Sequence, residues 1–429
     1  MKIRIPLIVL LLLLVTMSSY GQSQFDVDAQ IRPRFESRDG FRFLPVIGEE
    51  AASFINQRTR LTFGYSQSKL NLKVSINNHK IWGDIKTLGS DDEQISFHEA
   101  WAEALFSDKF SVKFGRQEII YDDQRIFGSV DWVQQARSHD AMVAKWMFTP
   151  NNRLDMGIAY NANGSPNKIG DGAILARTPY TMQYKAFQYA WYHAKMDRLG
   201  LSILFLNNGI EYTDNAKLKI GYSQTIGSRL TYKSESGKFI SDASYYLQGG
   251  KQKGAKVSAS NFAVNLKYKL SPDFLVGAGY EMLSGNDLGS GGYSDVDGSE
   301  INAFNPFYGT NHKFNGWMDH FYVGTWGNGV GLNDLNFVLA YTKNKFSAKL
   351  MPHFFSAAGK TGGLDDQLGT EIDVMLGYKI AKDMSCSVGY SHLSGKNALV
   401  SLQGGNRESS GSVAYIQFNF APKLLSIKK

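Results

Sequence analysis

From residue 25 to residue 36 apolar and polar side chains alternate without a break. One parity carries Phe25, Val27, Ala29, Ile31, Pro33 and Phe35; the other carries Asp26, Asp28, Gln30, Arg32, Arg34 and Glu36. A period of two marks a strand with one apolar and one polar face. Pro33 lacks the donor a ladder needs, which places it at an edge, a bulge or a strand end. The same alternation recurs over 55–65, 70–77, 153–160, 261–268, 274–281 and 414–420. Segments 95–106 and 186–197 are less regular, and their faces stay unassigned.

The connections between these segments fall into two kinds. Short polar turns sit at 66–69, 107–109, 149–152, 197–200, 235–237, 271–273, 342–345 and 381–383. Long connections lie between them, at 37–53, 80–94, 118–135, 161–185, 207–220, 250–258, 284–333, 358–369 and 394–411. Short and long alternate, about eighteen strands result, and both chain ends fall on the short-turn side, as in an antiparallel transmembrane β-barrel with short periplasmic turns and long extracellular loops. A soluble sandwich has no reason to gather its long loops at one end.

Energetics favour the same all-β architecture. Arg32, Arg34, Arg58 and Arg60 share one strand face with other polar residues. Turned toward lipid at the midplane, each would cost about 2–4 kcal/mol, so they are expected to face a wet interior. Aromatics gather at strand ends, with Phe106 and Phe110 around one turn, Trp146 and Phe148 before another, and Phe418 and Phe420 at the last, which suits an interfacial girdle.

Composition adds limits. In 429 residues there are 27 Phe, 22 Tyr and 43 Gly, a strand-and-turn balance. The single cysteine, Cys386, excludes an internal disulfide. Lys2 and Arg4, the apolar stretch 5–17, and Ser19-Tyr20-Gly21 before Gln22 read as a secretory signal peptide over 1–21. The mature chain, 22–429, is then expected to be one barrel in the outer membrane of a Gram-negative bacterium, in contact with lipid and lipopolysaccharide. Losing the leader lowers the formal charge of +7 by two, too little for a nucleic-acid binder.

Catalytic and metal signatures are missing or broken. There is no G-x-S-x-G elbow. His98-Glu99 opens like a zinc helix, but Ala102 stands where the second histidine belongs. Asp295, Asp297 and Glu300 around Gly298 give an incomplete calcium spacing. Gly327, Gly329 and Leu332 fail the dinucleotide fingerprint. The reading is of a chain with no enzymatic activity, no cofactor and no metal. Loop 284–333, rich in Gly, Asn and aromatics, is expected to fold over or into the lumen.

Charge remains. Residues 115–132 alternate acidic and basic side chains, and Arg137 and Asp140 follow. Paired, such a ladder braces a wall; unpaired, its guanidinium groups attract carboxylates.

Ala29-Gln30-Ile31-Arg32-Pro33-Arg34-Phe35-Glu36, Arg58-Thr59-Arg60-Leu61 and Gly115-Arg116-Gln117-Glu118 resemble the alginate export family of outer-membrane porins. So do Tyr121-Asp122-Asp123-Gln124-Arg125, Asp131-Trp132, Gln135-Ala136-Arg137 and the stretch from Thr310-Asn311-His312-Lys313 to Met318-Asp319. The resemblance implies an eighteen-stranded barrel that passes a uronate polymer through an arginine-constricted lumen. Carried over, its pore-lining residues are Arg32, Arg34, Arg58, Arg60, Arg116, Glu118, Arg125 and Arg137. It implies an anionic polysaccharide or small anions as cargo and periplasmic export partners. Residues 421–429 depart from the pattern of barrels that end on a terminal aromatic. The competing readings are a weakly selective diffusion porin or uptake channel, and a secreted soluble β-protein or adhesin.

Overall fold

The computed structural model describes residues 22–89, 95–161, 184–215, 217–289, 298–322, 326 and 329–429. The leader and the acidic pair Asp295 and Asp297 lie outside this set.

Eighteen strands close into an antiparallel barrel. They are β1 (Gln24–Asp39), β2 (Ala52–Gln67), β3 (Leu70–Ile81), β4 (Ile95–Ser107), β5 (Phe110–Gln117), β6 (His139–Thr149), β7 (Asn152–Tyr160), β8 (Tyr184–Met196), β9 (Leu199–Asp214), β10 (Lys217–Lys233) and β11 (Phe239–Gln252). The wall continues, after the short β12 (Ala255–Val257), with β13 (Ala259–Lys269) and β14 (Phe274–Leu283). After β15 (Glu300–Ile301) it is completed by β16 (Leu332–Lys343), β17 (Phe346–Ser356), β18 (Gln367–Ala381), β19 (Met384–Gly395) and β20 (Ser410–Phe420). β12 pairs antiparallel with the end of β11 and in parallel with β15. One short helix, α1 (Asn397–Leu402), sits in the last long loop.

The seam explains two oddities of the sequence. β20 pairs with the upper half of β1, from Ile31↔Phe420 to Asp39↔Ser412, and the ladder skips Arg32 and Pro33. Proline therefore sits where no donor is required. After Phe420 the chain steps through Ala421-Pro422 and resumes as β21 (Lys423–Lys428), which pairs with Gln24–Asp28. The residues that looked like a tail are the lower half of the closing strand.

The alternating faces fall as period two requires. Ile31, Phe35, Leu335, Phe354, Ile372 and Val388 point outward and are exposed, forming the surface that meets hydrocarbon. Arg34, Arg58, Asp334, Glu371 and Asp373 are buried on the inner side. Aromatics circle the short-turn end, with Phe106, Phe110, Trp146 and Phe148 in a chain of ring contacts 5.4–5.9 Å apart.

The two irregular segments have local causes. In β4 a bulge sets Ser75 opposite Glu99 and Ile76 opposite Phe97. His98 is the extra residue, and both it and Glu99 are buried, which breaks the parity. In β8 a register shift falls between Tyr184 and Ala186, and Phe187, Tyr189 and Trp191 are buried on the inner face. Both faces are then apolar and alternation disappears.

One expected connection is corrected. Residues 207–220 are not a long loop: β9 and β10 stay paired up to Asp214↔Lys217. At about 3.3 Å per residue these strands of 16 and 17 residues outreach the hydrocarbon layer, so their upper parts need no apolar face. Asn207 accepts from Gln224 at 2.7 Å and donates to Gln188 at 2.7 Å.

Candidate channel interior

Two long connections turn inward and fill the middle of the barrel. The first, 118–138, is held by the arginines of β1 and β2. Arg58 donates through Nη1 to Asp131 Oδ1 at 2.5 Å and through Nε to the Gln134 carbonyl at 2.5 Å. Arg32 reaches Asp131 Oδ2 at 3.1 Å and Gln134 Oε1 at 3.0 Å. Arg34 lies 3.9 Å over the Trp132 ring and donates to the Trp132 carbonyl at 2.8 Å, while Glu36 neutralises it at 2.8 Å. Burial alone would raise the Asp131 carboxyl, but Arg58 and Arg32 outweigh it and hold it below the usual aspartate range.

This segment runs against local backbone preference. Asp122, Gln124, Val130 and Ala136 all have positive φ. For a β-branched residue such as Val130, at φ 51°, that conformation is strained and persists only if the surroundings over-determine it. The second inward connection, between β14 and β16 and described over 298–322, supplies the constraint. Thr310 Oγ1 accepts the Val130 N–H at 3.0 Å, the Gly128 N–H donates to the Tyr308 carbonyl at 2.8 Å, and the Thr310 N–H donates to the Gln124 carbonyl at 2.9 Å. A Cβ on Gly128 would collide with Thr310 Oγ1 at 2.3 Å, so only glycine allows this approach.

Both connections are anchored to carboxylates of the wall. Arg125 Nε donates to Glu281 at 2.7 Å and Nη2 to Asn315 Oδ1 at 2.8 Å. Asn315 Nδ2 donates to Glu281 at 2.9 Å and Asp334 at 3.2 Å. The Met318 and Trp317 N–H groups donate to Glu371 at 2.8 Å and Asp373 at 3.2 Å. Leu44, Ile126, Phe127, Met318, Phe321 and Leu399 are buried together. The barrel thus has a small apolar core inside it, supplied by its loops.

The eight residues singled out from the sequence separate into different tasks. Arg32, Arg34 and Arg58 brace 118–138. Arg125 and Arg137 belong to that segment and tie it to the second one, Arg137 through the Gly309 carbonyl at 2.9 Å. Arg116 pairs with Asp140 at 3.1 Å, both side chains roughly half exposed. Glu118 pairs with His98 at 2.8 Å. Arg60 has only a 3.4 Å contact from Nε to Asn77 Oδ1, and no carboxylate among the described residues is within ion-pair distance of it.

The donor atoms of His98, Glu99 and Glu118 lie within 4.8 Å of one another. The Glu99 carboxylate is already taken by Lys73 and by Trp101 Nε1 at 2.9 Å, so the cluster is an ion-pair brace. Glu300, from the incomplete calcium spacing, pairs with Lys256 at 2.9 Å.

The sequence reading passed over a second set of cations. Lys73, Lys113 and Lys349 each lie three residues into a strand that rises from a short turn, in Leu70-Asn-Leu-Lys73, Phe110-Ser-Val-Lys113 and Phe346-Ser-Ala-Lys349. Lys145, Arg153, Arg229 and Lys267 occupy the same short-turn half of the inner wall. Some are neutralised: Lys145 by Glu103 at 2.8 Å, Arg153 by Asp155 at 2.6 Å, and Arg229 by Asp123 at 3.3 Å and Asp242 at 3.2 Å. Lys113, Lys267 and Lys349 have no carboxylate within ion-pair distance among the described residues. Lys113 sits 4.4 Å over the Trp101 ring and Lys349 5.2 Å over Trp317. Lys313 joins them from the second loop. Burial pushes its ammonium below the ordinary lysine range, with Arg229 and Lys267 adding to the effect. The recurring apolar-x-x-Lys spacing was the available signal.

A family model described as alginate export matches residues 23–325. Among solved structures, the outer membrane protein opdK from Pseudomonas aeruginosa is 12% identical, with a TM-score of 0.61 over 94% of this chain and 99% of that one. OccAB4 from Acinetobacter baumannii is 10% identical, with a TM-score of 0.62 over 94% and 98%. The opdK structure with vanillate is 12% identical, with a TM-score of 0.59 over 94% and 99%. No curated protein sequence matches.

Proposed function

The chain belongs to the alginate export family of outer-membrane channels, and we propose that it conducts an anionic polysaccharide, or small anions of the same chemistry, by electrostatic attraction alone. The observation that supports this reading is the set Lys113, Lys267 and Lys349, unneutralised among the described residues, with Lys313 beside them, on the periplasmic half of the inner wall. In a narrow aqueous space with low-dielectric walls, cations without counter-charges raise the local concentration of anions and replace part of their hydration. A set on the periplasmic side meets cargo moving outward before the inward loops do, and periplasmic export partners would deliver it there. The arginines Arg32, Arg34 and Arg58 then serve the passage indirectly, by fixing the loop that shapes it. The reading includes no catalytic step and no cofactor.

The ion pairs of Lys145, Arg153 and Arg229 favour a second reading, a general porin or uptake channel of weak selectivity, because they cancel much of the wall's charge. Planar-bilayer recordings of the purified protein in a salt gradient separate the two. The first reading expects a reversal potential on the anion side, which the triple substitution Lys113→Glu, Lys267→Glu, Lys349→Glu moves to the cation side. It also expects block by polyuronate added from the periplasmic face. A reversal potential near zero, unmoved by the triple substitution, would falsify it in favour of the second.

A further inference from the structure

Past Phe420 the chain runs Ala421-Pro422-Lys423-Leu424-Leu425-Ser426-Ile427-Lys428-Lys429. The Ala421 N–H still bonds the Asp383 carbonyl, in the turn between β18 and β19, at 2.9 Å. Below that point β19 has ended, and β21 pairs with β1 from Asp28↔Lys423 to Gln24↔Lys428. No other strand pairs with β21 among the described residues. All six residues of Lys423–Lys428 are exposed.

The ladder to β1 fixes which backbone groups stay free. Lys429 exchanges both backbone bonds with Ser23, at 3.0 and 2.9 Å. An antiparallel ladder alternates bonded and non-bonded pairs, so Phe25↔Ile427 and Val27↔Leu425 repeat the bonded geometry. Ser426 and Lys428 therefore turn their N–H and C=O groups away from β1, to a side where no described residue bonds them.

Closing a barrel removes every edge, and sheets that keep one blunt it with charge or proline. Here the middle of the edge, Leu424-Leu425-Ser426-Ile427, has neither. Leu425 and Ile427 lie opposite Val27 and Phe25, so an added strand of alternating pattern would extend one apolar and one polar face. Charge selects its chemistry. Lys423 opens the edge, Lys428 and Lys429 end it, and Lys382 is exposed in the turn beside its start. Asp26 already pairs with Lys423 at 3.3 Å, which leaves Asp383 of the turn against these cations. A second copy in the same membrane runs its β21 in the same direction. Edge-to-edge pairing would then set Lys423 beside Lys423 and Lys428 beside Lys428, which repel.

We propose that the free edge of β21 is a docking site for an extended acidic segment of a periplasmic protein, which adds to the barrel as one more strand. Backbone bonds to Ser426 and Lys428 supply affinity, apolar side chains of the segment continue the face of Leu425 and Ile427, and its carboxylates meet Lys428 and Lys429. This docking is independent of the cargo and needs only that the short turns face the periplasm.

The probe is a fluorescent, terminally blocked octapeptide that alternates valine with glutamate, titrated into the full-length mature protein in detergent and followed by anisotropy. Saturable binding is expected, weaker by about tenfold or more when lysine replaces glutamate or when alternate amides are N-methylated. Hydrogen exchange over 423–428 should slow on binding, with no change over 118–138. In Ser426→Pro the lost N–H points away from β1, so the barrel should keep its heat-dependent gel shift while binding is abolished. Lys428→Glu, confined to an exposed side chain, should weaken binding. Equal binding by the N-methylated peptide, by the lysine peptide, by folded Ser426→Pro or by Lys428→Glu overturns the site, as does no binding at all. A dimer in sedimentation that Ser426→Pro abolishes assigns the edge to a second copy and overturns the acidic partner. None of these outcomes bears on the reversal potential, so failure here leaves the channel reading standing.

Discussion

Arg58 and Asp131 meet at 2.5 Å inside the barrel, although 73 residues separate them in the chain. Arg58 is completely buried, and the same guanidinium also donates to the carbonyls of Val133 at 2.7 Å and Gln134 at 2.5 Å. A fork with five donors matches this mixture of carboxylate and carbonyl acceptors, which a lysine would not. A residue that sequence reasoning places in the ion path is therefore the peg on which an inward loop hangs.

Removing that peg is expected to loosen the loop. Breaking a buried pair costs about 3–5 kcal/mol, but the Asp131 side chain is 55% exposed to the lumen, which brings the expected loss nearer 2 kcal/mol. Arg58→Ala should still give a folded, heat-modifiable barrel. It should increase current noise and speed proteolysis within 118–138, with a far smaller change in reversal potential than the lysine triple gives. A large selectivity change with an intact loop would return Arg58 to the ion path.

Acid should release the two inward loops at different pH values. His320 is fully buried with Nε2 2.8 Å from the Gly40 carbonyl, and burial holds its imidazole down to about 4. An exposed histidine titrates near 6.5, so the opened state binds the proton first as pH falls. The contact is fully stable above pH 6.5 and loses about 3 kcal/mol on the way down to pH 4. Asp131 loses stability in the same direction but in a lower window: its depressed carboxyl contributes stability that is complete above the ordinary aspartate value and is lost only as pH falls below it. Hydrogen exchange should therefore quicken around Gly40 and residues 318–322 between pH 6.5 and 4, while 131–134 stays protected. Substitution His320→Gln should remove the first phase.

The closing strand offers a third check. Residues Lys423–Lys428 pair with Gln24–Asp28, and the Ser23 N–H donates to the Lys429 carbonyl at 3.0 Å. Deleting 423–429 leaves an unpaired edge on β1 at the periplasmic end, and unpaired backbone in or near lipid is costly. The truncated barrel should unfold on a denaturing gel at a lower temperature than the intact protein. If the melting behaviour is unchanged, the lower seam contributes nothing to closure.

How far the sequence reaches depends on the range of the force involved. Strand faces are local: Ile31 and Phe35 go to one side and Arg32 and Arg34 to the other because successive side chains must alternate, and hydrocarbon accepts only the apolar set. Strand number, the division into short and long connections, and the girdle of Phe106, Phe110 and Trp146 follow from that rule. The rule fails where it loses its cause. The polar upper parts of β9 and β10 lie beyond the hydrocarbon layer, and the doubly apolar β8 has loop residues to cover its inner face.

The chain by itself determined that cations enter the interior; it could not determine what they find there. Whether Arg58 lines water or grips Asp131, and whether Lys113 is paired like Lys145 or left on Trp101, depends on which distant loop folds back to meet it. That choice rests on Gly128 passing Thr310 and on Glu371 and Asp373 receiving the backbone of 317–318, contacts between segments far apart in the chain. Pairing of charges across a closed lumen is a property of the assembled barrel, because only closure brings the partners within ångströms and removes the water that would otherwise separate them.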